Sequence, residues 1–204
     1  QLWSGPDVAN LDGRWPFPAV TVTPAPVQRP HPPAWYACGS PQSIGTALGR
    51  GLFPFIAVGV RGRAFVEQSV AAFAEERDRR GLAAGSVRFG AQVLAHVSAD
   101  PAEVERAAAA GRLMYRITNR LMAGTQRVRA ALVDVSGTEP ASDVPTEQIT
   151  SGSLLGDDGH VAAQLAWLER MGVTDLSLNF RYGGLDTASV RASMERVASL
   201  AGLD

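Results

Sequence analysis

Three stretches of this 204-residue chain carry side chains that could do chemistry. The first is Gly39-Ser40-Pro41-Gln42-Ser43. Ser40 suits a helix N-cap, and Pro41 suits the first helical position, where a missing N–H costs nothing. The free N–H groups and positive dipole end of such a helix suit a phosphate. A plain N-cap is the alternative. The second is His96 with Ser98, at the end of a strand's polar face. A neutral imidazole there could donate to a substrate or cofactor, or only satisfy an interior hydrogen bond. The third is Asn179, Arg181 and Tyr182, closing another strand. The forked donors of Arg181 could hold a phosphate or a carboxylate, or face solvent as a surface cation. Cys38, just before the first stretch, reads as a small buried apolar residue rather than a ligand contact. His31 lies among prolines in a loop, and His160 begins a helix.

Other chemistries lack their residues. There is one cysteine, so neither a disulfide framework nor a thiolate metal cluster forms within the chain. The three histidines are too scattered for a metal site, and none is expected. Walker-type Gly-Lys-Ser/Thr, His-Glu-x-x-His and Gly-x-Ser-x-Gly patterns are missing. The formal net charge is −1, which gives no electrostatic case for nucleic acid or an anionic membrane. Leu52 to Val60, among the longest apolar runs, falls far below the roughly 20 residues of a membrane helix. A cytoplasmic location is the expectation. The chain opens on Gln1-Leu-Trp-Ser-Gly-Pro6, which reads as the middle of something longer.

The elements that must position these groups follow a rhythm. Residues 1–33 are rich in proline and turn formers, which forbids a long helix. They read as an extended segment, with a short strand at Val20–Thr23. From residue 34 onward, strands and helices alternate. Strands are expected at Trp35–Cys38, Phe53–Val58, Val87–Val97 and Leu176–Phe180. Helices are expected from Ser40 to about Arg50, Arg63–Arg80, Asp100 to about Met122, His160–Met171 and Thr187–Leu200. A further helix is expected around Arg127–Val135, followed by a Pro/Ser/Thr-rich loop. In the third strand Val87, Phe89, Ala91, Val93, Ala95 and Val97 form one face. Arg88, Gln92, Leu94, His96 and Ser98 form the other. Four β/α units argue for a parallel sheet, either half of an eight-fold barrel or a small open sheet.

Two blocks resolve that choice by resemblance. Pro24-Ala-Pro-Val-Gln28, Arg29-Pro-His-Pro-Pro33 and Ala34-Trp-Tyr-Ala-Cys-Gly-Ser-Pro41 resemble the central signature of the bacterial luciferase-like monooxygenases. Gly172-Val-Thr-Asp-Leu-Ser-Leu178, then Phe180-Arg-Tyr-Gly-Gly-Leu185 and Ala192-Ser-Met194, are similar to that family's last strand and closing helix. The resemblance implies an α/β fold of the (β/α)8 TIM-barrel type, with only about the last four units present in residues 34–204. It implies a cofactor, reduced FMN or the deazaflavin F420, and a small organic substrate. With FMN and O2 such a barrel oxygenates its substrate; with the deazaflavin it transfers hydride. The family's corresponding turn contacts the flavin phosphate, which puts Gly39, Ser40 and Ser43 in that role, with Arg181 as a further cofactor candidate. His96 is the candidate catalytic residue, and the groups carried by the first half of the barrel have no counterpart here.

Two functional readings follow. One is a flavin-dependent oxidoreductase. The other is a non-catalytic half-barrel that pairs with a chain supplying the missing strands, as a homo- or hetero-oligomer, because half a barrel leaves two sheet edges open.

Overall fold

The structure is a computed structural model that describes residues 2–3, 5–29, 31–138 and 144–202. Gln1, Pro30 and the middle of the expected Pro/Ser/Thr-rich loop lie outside the described residues. The chain divides into two compact units, residues 1–35 and 36–204.

In the first unit, β1 (Val8–Asn10) and β2 (Phe17–Val20) pair antiparallel, with Val8 opposite Val20 and Asn10 opposite Phe17. The strand expected at Val20–Thr23 therefore lies earlier and ends where that expectation began. Beyond it Thr21 contributes a side chain instead of a ladder bond, its hydroxyl accepting the Asp7 N–H at 3.1 Å.

The second unit is built on a parallel sheet. Its elements begin with β3 (Trp35–Cys38), α1 (Pro41–Gly49), β4 (Phe53–Ala57), α2 (Gly62–Arg79), β5 (Gly90–Val97) and α3 (Pro101–Met122). A two-stranded hairpin follows, β6 (Val128–Arg129) and β7 (Leu132–Val133). Then come α4 (Thr146–Ser151), β8 (Leu154–Gly156), α5 (Asp158–Arg170), β9 (Asp175–Asn179) and α6 (Thr187–Leu200).

Strand β5 is the hub. It pairs in parallel with β4, Ala57 lying opposite Gln92, and with β9, Leu94 lying opposite Asn179. It also pairs with β8, His96 lying opposite Leu155. Backbone groups alternate between the edges of a strand. Gln92 C=O accepts Val58 N–H, and Ser98 N–H, six residues on, reaches Gly156 C=O. β8 thus continues the edge on which β4 stops. On the other edge Val97 N–H, beyond the end of β9, is taken by Ser193 Oγ of α6 at 2.8 Å. At three residues β8 is too short to show a side-chain period, and it exists because β5 outruns β4.

The two faces of β5 serve two cores. Phe89, Ala91, Val93, Ala95 and Val97 pack with α1, α2, α5 and α6 through residues such as Ile44, Phe73, Trp167 and Leu168. Phe89 is fully buried, and a side chain of that size contributes about 1.5–3 kcal/mol by leaving water. Leu94 faces the other way, into a smaller core with Val60, Ala107, Ala110, Leu155 and Tyr182. The alternation read from the sequence is the one observed.

Helix α3 begins on an Asp100 N-cap, whose side chain accepts Ala102 N–H at 2.9 Å, with Pro101 in the first turn. It covers the Leu94 side of the sheet. Its run Ala107-Ala-Ala-Ala-Gly111 makes a close approach possible. A Cβ on Gly111 would stand 2.9 Å from Leu94 Cδ1. Helix α4 docks on it through Thr146, whose hydroxyl donates to Glu105 at 2.5 Å and accepts from Arg112 at 3.1 Å.

The helix expected around Arg127–Val135 is a correction: that stretch is the β6–β7 hairpin. Ala130 and Ala131 both take positive φ, 47° and 63°, as a tight two-residue hairpin turn requires. Asp134 N–H closes on Arg127 C=O at 3.0 Å, and the Gln126 side-chain amide holds Asp134 C=O at 2.5 Å. The segment is exposed, with Leu132 at 73% of its free surface, so it has no buried stripe to support a helix.

Gly183 marks where the end of β9 meets α3. Its φ is 56°, and a Cβ there would stand 2.3 Å from the Ala110 carbonyl oxygen. Gly183→Ala is expected to lower stability by about 1–3 kcal/mol from backbone strain alone, with the contact adding to it. Urea unfolding followed by circular dichroism measures this, with Gly184→Ala as the comparison, since a Cβ at Gly184 meets nothing within 4 Å.

Candidate active site

The C-terminal ends of the strands and the underside of α3 enclose a cavity of about 540 Å3, within the roughly 300–1,000 Å3 typical of small-molecule sites. Gly39 reaches it from the end of β3, Ala57, Val58 and Gly59 from the end of β4, and Asn179 from the end of β9. Gln92 and Leu94 enter from the inner face of β5. The roof is the last two turns of α3, with Met114, Tyr115, Asn119 and Met122. Most of this lining is apolar. The polar groups are Arg61, Gln92, Tyr115, Thr118, Asn119 and Asn179, and among the described residues the wall includes no Asp or Glu.

The Gly39–Ser43 turn stands at this cavity through Gly39. It forms a reciprocal cap: Ser40 Oγ accepts Ser43 N–H at 3.3 Å, and Ser43 Oγ accepts Ser40 N–H at 3.0 Å. Ser43 Oγ also accepts Gly39 N–H at 3.1 Å and donates to Ser40 C=O at 2.7 Å. The residue types read from the sequence make the cap expected of them. A Cβ on Gly39 would meet nothing within 4 Å, so the turn lies open to a ligand. Cys38 is buried, its Sγ donating to Tyr36 C=O at 3.2 Å, and burial pushes its thiol pKa up.

Of the other candidates, Asn179 lines the cavity, whereas Arg181, Tyr182 and His96 do not. Arg181 is exposed, two residues beyond Asn179. Tyr182 turns inward against α3, only 4% exposed, and its hydroxyl has no hydrogen-bond partner among the described residues. Burial pushes that hydroxyl above the usual tyrosine range. His96 is 2% exposed beneath the first turn of α3, and Nε2 lies 3.6 Å from Glu103, too far for a hydrogen bond. Its Nδ1 is buried without a partner among the described residues. His31 lies in a loop beside Pro32, and His160 sits in the first turn of α5 with Nε2 3.2 Å from Thr150 C=O.

Sequence reasoning missed Arg61 and the α3 residues of the roof. Arg61 could have been found, because Val58-Gly-Val-Arg61 follows an expected strand and barrel sites gather at strand C-termini. The roof could not, since nothing in a helix's own period says which layer it will cover.

Burial lowers the pKa of His96; Asp186 opposes that shift and Arg106 adds to it. The imidazole is therefore packed neutral, and the unfolded chain takes up the proton first as pH falls. The stability that depends on the neutral form is complete above the ordinary value of 6.5 and declines as pH falls from there through the lowered folded value. Urea midpoints between pH 8 and pH 5 are expected to fall in the wild type and to flatten over that window in His96→Leu.

Comparison with known proteins agrees with this architecture. The family model for luciferase-like monooxygenases matches residues 1–175. No curated protein matches the chain. Among solved structures, monooxygenase RslO1 from Streptomyces bottropensis superposes with a TM-score of 0.67 at 18% identity, covering 97% of this chain and 56% of that one. An F420-dependent secondary alcohol dehydrogenase, solved with an F420-acetone adduct, gives 0.68 at 11% identity, covering 98% and 57%. The EDTA monooxygenase EmoA from Chelativorans sp. BNC1 gives 0.56 at 16% identity, covering 94% and 49%. The chain thus spans about half the length of these structures, and its fold is that of a partial (β/α)8 barrel. With the family model matched over most of its length, on a parallel sheet whose strand ends open into a cavity, the chain belongs to the luciferase-like monooxygenase family.

Proposed function

We propose that this chain is the C-terminal half of a flavin-dependent oxidoreductase barrel, and that its cavity takes part of reduced FMN or deazaflavin F420 together with a small organic substrate. The observation that carries this reading is the largely apolar cavity at the strand C-termini, bordered by Gly39. Its chemistry fits such a group. The open space at Gly39 lets a ligand approach the backbone, and Gln92 and Asn179 offer amides to a heterocycle. When bound, FMN supplies oxygenation with O2, and the deazaflavin supplies hydride transfer.

The chain's own residues orient and enclose. Leu94, Met114 and Met122 exclude water from the ligand. Ser40 and Ser43 would hold the cofactor phosphate with the groups that now make their mutual cap bonds, and Gly39 N–H would join them. Arg181 meets a phosphate or carboxylate only where the ligand extends past the cavity. His96, off the wall, acts on neither.

A second reading rests on a separate observation. Among the described residues β3 pairs only with β4, and β9 only with β5. Each keeps an open edge, and an open edge is a template for another strand. A chain that supplies the missing strands, in a homo- or hetero-oligomer, would close both.

Fluorescence titration with FMN and with F420, alongside size-exclusion elution, tests the two readings. Saturable micromolar binding, weakened roughly tenfold or more by Ser40→Ala through loss of a bond to a charged group, is the result expected of a flavin site. Ser40→Ala also removes an N-cap worth about 1 kcal/mol, so a melting curve must show the variant folded. A folded chain that binds neither cofactor and elutes as a dimer would overturn the first reading in favour of the second.

A further inference from the structure

Arg61 stands in the cavity wall without a counter-charge. It immediately precedes α2, held there by the end of β4. Its Nη2 donates to Ala57 C=O, and Nε lies 3.4 Å from Val58 C=O. The guanidinium carbon lies over the Phe65 ring, 3.4 Å from the centroid. These partners are neutral, and among the described residues no carboxylate lies within ion-pair distance of it. Arg88, Arg112 and Arg196, by contrast, meet Asp175, Glu105 and Asp158. Burial weakens the hold of Arg61 on its proton, an effect that the nearby Tyr115 opposes.

An uncompensated, half-buried cation is costly, and an anion brought by a ligand offsets that cost. A guanidinium fixed by two carbonyls and a ring is also pre-organised, so a planar or tetrahedral oxyanion can meet it with little loss of side-chain freedom. The nearby Gly39–Ser43 turn does not supply the same service ready-made, because the N–H groups of Gly39, Ser40 and Ser43 are filled by serine hydroxyls.

We infer that Arg61 is the oxyanion anchor of this cavity, pairing with the phosphate or carboxylate of an organic ligand whose apolar part lies against Leu94, Met114 and Met122. The inference rests on the reading above that the cavity is the ligand site. The oxyanion has two sources, the phosphate of the cofactor or an acidic group on the substrate.

Calorimetric titrations of wild type, Arg61→Gln and Arg61→Lys with FMN, riboflavin and benzoate distinguish them. Riboflavin carries the same ring as FMN without the phosphate, and benzoate is a carboxylate on an apolar body. If the anchor holds the cofactor, FMN binds wild type at least tenfold more tightly than riboflavin, and Arg61→Gln abolishes that preference. If it holds the substrate, the preference survives and benzoate binding falls at least tenfold. Arg61→Lys, which keeps the charge but not the fork, is expected to fall between. Unchanged FMN, riboflavin and benzoate affinities in a folded Arg61→Gln would overturn the anchor while leaving the cavity as the flavin site. Benzoate bound in an Arg61-dependent way by a chain that binds no FMN would support the anchor and remove the flavin reading.

Discussion

The hydrogen-bonded and packed position of β5 is the constraint on which the rest of the second unit depends. Both of its edges are filled over most of their length, by β4 and then β8 on one side and by β9 and then Ser193 on the other. Both of its faces are buried, the odd residues against outer helices and Leu94 against α3. Such a strand cannot slip by one residue without turning each buried group into the wrong core and leaving backbone donors unpaired. Gln92, Leu94 and Asn179 hold their places at the cavity because this register holds them.

The cavity itself is made by the approach of α3 across the strand ends. Small residues at Ala107, Ala108, Ala110 and Gly111 let the helix come down close to Leu94 and to the chain that leaves β9. Toward the helix C-terminus the larger side chains Met114, Tyr115 and Met122 line the cavity, Met114 Sδ accepting from Asn179 Nδ2 at 3.9 Å. One helix thus seals a core with its first half and roofs a pocket with its second. The polar groups of that pocket are lopsided: amides, two hydroxyls and a single arginine, with no carboxylate among the described residues of the lining. Some arginines elsewhere in the unit meet acidic partners, such as Arg88 with Asp175 across the starts of β5 and β9.

Among the described residues β3 and β9 each pair with one strand only, in a chain that spans about half the length of the solved structures it resembles. A parallel strand paired on one side only has half its backbone groups turned toward solvent or toward another chain. The cavity is walled by the ends of β3, β4 and β9, the inner face of β5 and one helix.

Much of this was legible in the residues. The Gly39–Ser43 cap is a local matter, decided by hydroxyls within hydrogen-bonding reach along the chain, and it formed as its residue types dictate. So did the alternation along β5, because a period of two is written into consecutive side chains, and the helices whose caps are Asp100-Pro101 and Asp186. The β6–β7 hairpin was not legible: nothing local marks Ala130 and Ala131 for positive φ, and the stretch takes its shape from Gln126 and Arg127 closing on Asp134. Nor was β8, three residues that become a strand only because β5 projects past β4. Sequence by itself determined most of the elements from residue 34 onward, the caps at Ser40 and Asp100 and the inward face of β5, since these arise from neighbours along the chain. The tertiary structure alone decided that α3 lies over the strand ends, that Arg61 faces a cavity without a carboxylate, and that His96 and Tyr182 are sealed away from it. Those outcomes depend on which distant surfaces meet, and no local period encodes that.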